Sequence, residues 1–246
     1  MQFDPHSLFA VSESVTLNSA VTYWLILVAI LLSIPQLTWN IFGRFVTVFH
    51  EMGHALTGFM VGRRVKKIMI QSDMSGETHS KGNRGFPLIF SSWWGYPFPI
   101  LLGVGLIYAS YHDWAIRAIS VITILLVLML LFIRNIHGAS MIFALLALCV
   151  ASVFITSSLY KAYICLALGI ALIIGSWRAL INVTRVHYGY DKNSSDAYFL
   201  ADLTGLPSWF WFVTYYLVFI TLTLIAINII SGGLVINLIQ RILATM

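Results

Sequence analysis

Runs of roughly twenty mostly apolar residues recur along nearly the whole chain, which is the length that one helical crossing of a bilayer needs. By that rule about seven spans are expected, near 21–40, 43–62, 88–110, 114–133, 139–157, 159–181 and 208–231. Hydrophobic residues make up 59% of the sequence and charged residues 9%, where a soluble domain carries roughly a quarter charged. A water-soluble fold of this size could not hide so much apolar surface, and a lipid solvent removes the need. The expectation is an all-α polytopic membrane protein in one domain, residues 1–246, with no linker, repeat or low-complexity tract.

The formal charge is +5, from 14 Lys and Arg against 9 Asp and Glu. Here the basic residues sit at the ends of apolar runs, where membrane topology places them, so the bilayer and not a nucleic acid is the expected partner. With the N-terminus in the cytoplasm, the inside loops hold Arg63, Arg64, Lys66, Lys67, Lys81, Arg84, Arg134, Arg178, Arg185 and Lys192. The outside keeps Arg44, Arg117, Lys161 and Arg241, so a cell-membrane protein with its N-terminus inside is favoured. The first eighteen residues carry no Lys or Arg, so the first apolar run reads as a retained span, not a secretory signal. Cys149 and Cys165 lie in apolar runs and read as small hydrophobes.

Two polar stretches interrupt the spans. In 63–84, β-friendly Val65, Ile68 and Ile70 precede a Ser75-Gly76 turn, which predicts a small β-hairpin at the membrane surface. In 188–207, Ser194 or Ser195 can cap a short helix near 194–206 that ends at Gly205 before Pro207. The tail 234–246 reads as an amphipathic surface helix. Gly95 to Pro99, Gly-Tyr-Pro-Phe-Pro, must break or kink a helix. It lines a substrate or water path, or forms a surface turn. Trp93 and Trp94 beside it suit the membrane–water interface. Asn135, Arg178 and Asn182 read as structural polar residues at span ends, and Met52 and Met60 as packing residues.

The second run contains RFVTVFHEMGHALTGFMVG. His50 and His54 are four apart and share one helix face, so their imidazoles can bind one Zn2+, while Glu51 can take the proton of an attacking water. Polar residues at membrane depth are costly, so they are functional unless they merely bond neighbouring helices. Catalytic zinc usually takes three protein ligands. Asp73, Glu77, His79, His112, Asp113, His137, His187, Asp191, Asp196 and Asp202 are the possible third. Those flanking spans read as loop residues, those in the hairpin would have to fold back, and His187 and Asp191 sit in a basic loop as solvated groups. Asp196 and Asp202 are the best placed.

HEMGHA in a span, then RRVKKI and a Gly-Glu-Thr hairpin, resembles the site-2 protease family of intramembrane zinc metalloproteases. SSWWGYPFPILLG and SDAYFLADLTGLP are similar to its compact bacterial branch, and the likeness covers about residues 40 to 210. It implies a zinc metalloendopeptidase that cleaves membrane-protein substrates. Glu51 is then the catalytic base, and His50, His54 and the Asp of Ser-Asp-Ala, Asp196, are the metal ligands. Many members carry their metal Asp in Leu-Asp-Gly, which this sequence lacks, so Asp202 stands as the alternative. The site is expected to open to the cytoplasm, because His54 lies about 13 Å along the helix from Arg63. The other readings are a catalytically inactive scaffold or assembly relative, and a membrane metal transporter. A transporter would need more polar residues in the spans, and an intact Glu51 argues against an inactive relative.

Overall fold

A computed structural model describes residues 17–155, 157–189 and 195–244. The described residues form ten helices and one antiparallel strand pair. The helices are α1 (Ser19–Ser33), α2 (Gln36–Met60), α3 (Phe86–Trp93), α4 (Pro97–Tyr111), α5 (Ala115–Leu130), α6 (Ile136–Val153), α7 (Ser158–Gly189), α8 (Asp196–Thr204), α9 (Ser208–Ile230) and α10 (Leu234–Ala244). The strands are β1 (Arg64–Ile70) and β2 (Gly76–Lys81), the expected hairpin, paired from Arg64 opposite Lys81 to Ile70 opposite Gly76.

Among the described residues, α6, α7 and α9 are each long and apolar enough to cross a membrane, and α1 with α2 would make a fourth crossing if that bent pair is one span. Their outward faces carry bare apolar side chains, Leu217, Ile220 and Leu224 on α9 among them. In water such a surface would aggregate, and lipid is its natural solvent. The chain is a membrane protein.

The expected break between the first two runs, near 41–42, lies instead at Ile34 and Pro35, where α1 and α2 meet at 99°. Proline has no amide N–H, and its ring clashes with the carbonyl one turn back, so α1 must stop. Its exposed carbonyls are then bonded from elsewhere. Arg178 on α7 donates to Ser33 and Ile34 and to the Gln36 side chain, and Thr38 Oγ1 donates to Leu31 O at 2.9 Å. Arg178 also lies over the Trp39 ring, 4.7 Å from its centroid.

α7 is the spine of the bundle. Gly103 of α4 and Gly169 of α7 face each other so closely that a Cβ on either would meet the other's carbonyl at 2.7–2.8 Å. Gly175 admits Val46 and Phe42 of α2 in the same way. Small residues at such crossings let helix backbones approach, the usual means of packing helices in lipid. One apolar core lies where α2, β1, α5, α6 and α7 meet, and another joins α4, α7, α8 and α9.

α7 also runs beyond the expected end of its span. Its 32 residues extend about 48 Å, well past a hydrocarbon core of roughly 30 Å. It therefore carries His187, expected in a solvated loop, into the interior, where it is buried. Trp93 packs within the bundle. Its ring packs on Tyr215, and its Nε1 donates to Thr214 Oγ1 at 2.9 Å. Met52 is in the core as expected, but Met60, at the end of α2, is 78% exposed. Cys149 and Cys165 are buried free thiols. Asn135 acts as a surrogate strand partner, accepting from Ile70 N–H at 3.2 Å and donating to Ile70 O at 2.6 Å.

Candidate metal centre

The α2 periodicity places His50, Glu51 and His54 on the inner side of the bundle. The imidazoles of His50 and His54 meet edge to face, their Nε2 atoms 3.1 Å apart. Asp196, the first residue of α8, brings Oδ2 to 3.1 Å from His50 Nε2 and 3.4 Å from His54 Nε2. A zinc ion held about 2.0–2.2 Å from each of three tetrahedral ligands requires ligand atoms roughly 3.3–3.5 Å apart, so this triangle needs only slight expansion.

The donor chemistry agrees with the spacing. His54 Nδ1 lies 2.8 Å from Ser91 O, and the carbonyl can only accept, so the ring proton sits on Nδ1 and Nε2 keeps its lone pair for the centre. Two imidazole nitrogens and a carboxylate oxygen facing one point repel unless a cation or proton lies between them. Asp196 Oδ2 is buried and has no well-angled hydrogen bond despite these short contacts. Gly95 completes the cradle. A Cβ there would overlap His54 Nε2 and stand 2.7 Å from His50 Cε1, filling the space beside both imidazole edges.

His50, Glu51 and His54 also present ligand atoms within 4.8 Å of one another. Glu51 is the weaker third ligand, because it is already engaged. Thr78 of β2 donates its hydroxyl to Glu51 Oε2 at 2.6 Å, and a side chain at Gly76 would lie 2.7 Å from Glu51 Cδ. The hairpin therefore lies over the Glu51 carboxylate. Together these groups border a cavity of about 1010 Å³ whose walls also include Tyr96, Pro99, Ser176 and Asn182.

The broken helix α3–α4 is built against α2. Gly53, inside the His-Glu-Met-Gly-His motif, leaves room for Phe98 and for the Trp94 carbonyl, each 2.6 Å from where its Cβ would be. Tyr96 thereby sets its ring edge-on to His50, with centroids 4.6 Å apart. The Gly-Tyr-Pro-Phe-Pro break is thus a wall of the cavity and not a surface turn.

Asp196 is held by its own neighbours. Ser195 caps α8 by accepting from Tyr198 N–H at 3.1 Å, so its hydroxyl proton is free to point to His187 Nδ1, 3.0 Å away. Both residues are buried. Gly205, with φ 76°, ends α8 in the left-handed conformation that glycine adopts without strain. From the sequence, Ser91 and Thr78 have no role of their own, Gly95 and Tyr96 read only as part of the Gly95–Pro99 break, and His187 only as a possible but solvated ligand. The Gly-Glu-Thr and Gly-Tyr-Pro patterns are visible signals for Thr78, Gly95 and Tyr96, while nothing local marks Ser91 or the burial of His187.

Among the described residues, none of the other possible ligands joins the His50–Glu51–His54 group, although Asp73, Glu77 and His79 border the same cavity. Asp202 is exposed on α8. Asp73 accepts from the Ser75 hydroxyl at 2.7 Å and amide at 3.0 Å in the hairpin turn, and the Ser75 hydroxyl holds its carboxyl below the ordinary range. Glu77 and His79 of β2 pair with each other at 2.9 Å. His112 stacks on Tyr108, and Asp113 occupies a turn with φ 58°. His137 lies at the start of α6, away from the cavity lining. Ser194 and Asp191 fall outside the described residues.

A family model described as Peptidase M50B-like matches residues 23–228, which takes in α2, the hairpin, the broken helix, α8 and nearly all of α9. No curated protein and no solved structure matches the chain.

Proposed function

The chain belongs to the Peptidase M50B-like family, the site-2 protease group, and from that premise we propose that it is a zinc-dependent endopeptidase cleaving membrane-protein substrates within or beside the bilayer. The observation that carries this reading is the convergence of His50 Nε2, His54 Nε2 and Asp196 Oδ2 with Glu51 one residue from the first of them. His50, His54 and Asp196 would hold the ion, which when bound supplies Lewis-acid polarisation and acidified water. Glu51 takes the proton of the attacking water and delivers it to the leaving amine. Thr78 orients the Glu51 carboxylate, and Ser91 keeps His54 in the tautomer that offers Nε2. The cavity supplies the water that peptide hydrolysis requires at membrane depth.

In this reading the whole chain is one multi-pass domain, with α1, α2, α4 and α5 joining α6, α7 and α9 to give about seven membrane segments. The N-terminus lies in the cytoplasm, and the cavity opens toward that side near Arg63, following the excess of basic residues there. Transport of a metal ion is disfavoured because α5, α6 and α9 offer almost no polar inner surface for a pathway.

The test compares membrane proteomes of cells carrying the wild type or Glu51→Gln, with zinc measured in both purified proteins. A fragment present only with the wild type, at equal zinc content, is the expected result. Equal zinc with identical fragments in both would remove the peptidase assignment. A reporter fused after Gly76 should read cytoplasmic, and an extracytoplasmic signal would reverse the orientation.

A further inference from the structure

The hairpin that covers Glu51 turns a different surface outward, and that surface is cationic. A groove of about 480 Å³ is lined by Lys66, Lys67, His79, Ser80, Lys81 and Arg134. Among the described residues, no acidic side chain lines it. Among the described residues, none of these four cations has an ion-pair partner, and the nearby Glu77 is engaged by His79 at 2.9 Å. Across the strands, Arg64 stands directly opposite Lys81, a pairing of like charges that destabilises a hairpin unless an anion lies between or beside them.

Positive charge at span ends is expected of any membrane protein, but its collection into one hollow is a tertiary event. Arg134 belongs to the linker between α5 and α6. It reaches the groove because that linker pairs with β1. Ile68 N–H donates to Phe132 O at 2.8 Å, and Arg134 N–H donates to Ile68 O at 3.0 Å. A register irregularity between Val65 and Lys67 interrupts the alternation of β1 where Lys66 and Lys67 both line the hollow.

The surroundings identify the anion. The same end of the bundle exposes Met60 and Leu131, 78% and 63% accessible, and a contact between the Phe59 and Phe132 rings joins the ends of α2 and α5. Cations beside bare apolar side chains match a headgroup with its acyl chains. An acidic peptide segment would match the cations alone. We propose that this groove binds the phosphate headgroup of an anionic phospholipid. The bound lipid would neutralise the cross-strand repulsion and steady the hairpin, whose β2 strand holds Glu51 through Thr78. The proposal does not depend on the peptidase reading.

The test uses the purified full-length protein in detergent with equal amounts of phosphatidylglycerol and phosphatidylcholine, counting bound lipid by native mass spectrometry. The wild type should prefer phosphatidylglycerol at least about tenfold, since each cation near an anionic lipid surface contributes roughly a fivefold gain. The quadruple variant Lys66→Gln, Lys67→Gln, Lys81→Gln, Arg134→Gln should fall to near parity, while Lys161→Gln with Arg185→Gln keeps the preference. Lys81→Glu guards against misfolding, because it gives Arg64 a partner across the strands and should keep the hairpin while lowering lipid retention. Equal retention in the wild type and the quadruple variant overturns the proposal. So does full displacement of the lipid by an equal concentration of inorganic phosphate or of an acidic peptide.

Discussion

The two halves of the candidate metal centre are assembled in different ways. His50 and His54 stand one turn apart on a single 25-residue helix, so any fold that keeps α2 helical brings them together. Asp196 comes from a nine-residue helix far along the chain, and its place depends on the end of α7, the Ser195 cap and the packing of α8 against α9. The first half is a property of helix geometry. The second is a property of the bundle, and so the more easily disturbed by changes away from the ligands.

The largest effect should come from the helical half. His50→Ala with His54→Ala should lower zinc affinity by far more than the roughly 10–100-fold typical of an outer residue, measured on purified protein by competition with a chromophoric chelator. Full zinc retention would show that the imidazoles are not ligands. Asp196→Ala should come next, with zinc weakened and cleavage lost, while Asp202→Ala should leave both unchanged. Loss only in Asp202→Ala would exchange their roles and erase the contrast between the halves.

Gly95→Ala separates space from ligation. Its Cβ would occupy the cradle beside both imidazoles, so zinc content should fall although every proposed ligand remains and α2 stays helical by circular dichroism. A zinc-replete Gly95→Ala protein would mean that the cradle is wider than described. The smallest effect should come from the support of the second half. Ser195→Ala should cost about 1 kcal/mol of stability through the lost cap, and His187→Leu should lower zinc affinity by roughly 10–100-fold. His187→Asn, which can still accept from the Ser195 hydroxyl, should recover part of that affinity. If His187→Leu changes thermal stability but leaves zinc affinity alone, His187 only packs the end of α7 and does not position Asp196.

Local patterns announced much of this molecule. The apolar runs marked most helices, the His-Glu-Met-Gly-His spacing marked a shared helix face, Val65 to Ile70 with Ser75-Gly76 marked the hairpin, and Ser194 or Ser195 with Gly205 marked the ends of α8. Each rests on interactions within a few residues, whose geometry is nearly independent of the rest of the chain. Errors arose both where a local signal was passed over and where distant groups act on a local choice. The first expected span, 21–40, runs through Pro35 although proline is a local helix stop, while the satisfaction of the freed carbonyls by Arg178 leaves no local signal.

Sequence alone therefore determined the solvent, the helical class and the two imidazoles with their neighbouring carboxylate, because hydropathy and the 3.6-residue turn act locally. Only the tertiary structure decided that Asp196 and not Asp202 meets those imidazoles, that Gly95 leaves room beside them, that Thr78 holds Glu51, and that His187 is buried behind the Ser195 cap. Those outcomes depend on how α3, α7, α8 and the hairpin pack around α2, and a contact between segments far apart in the chain leaves no periodic trace in either segment.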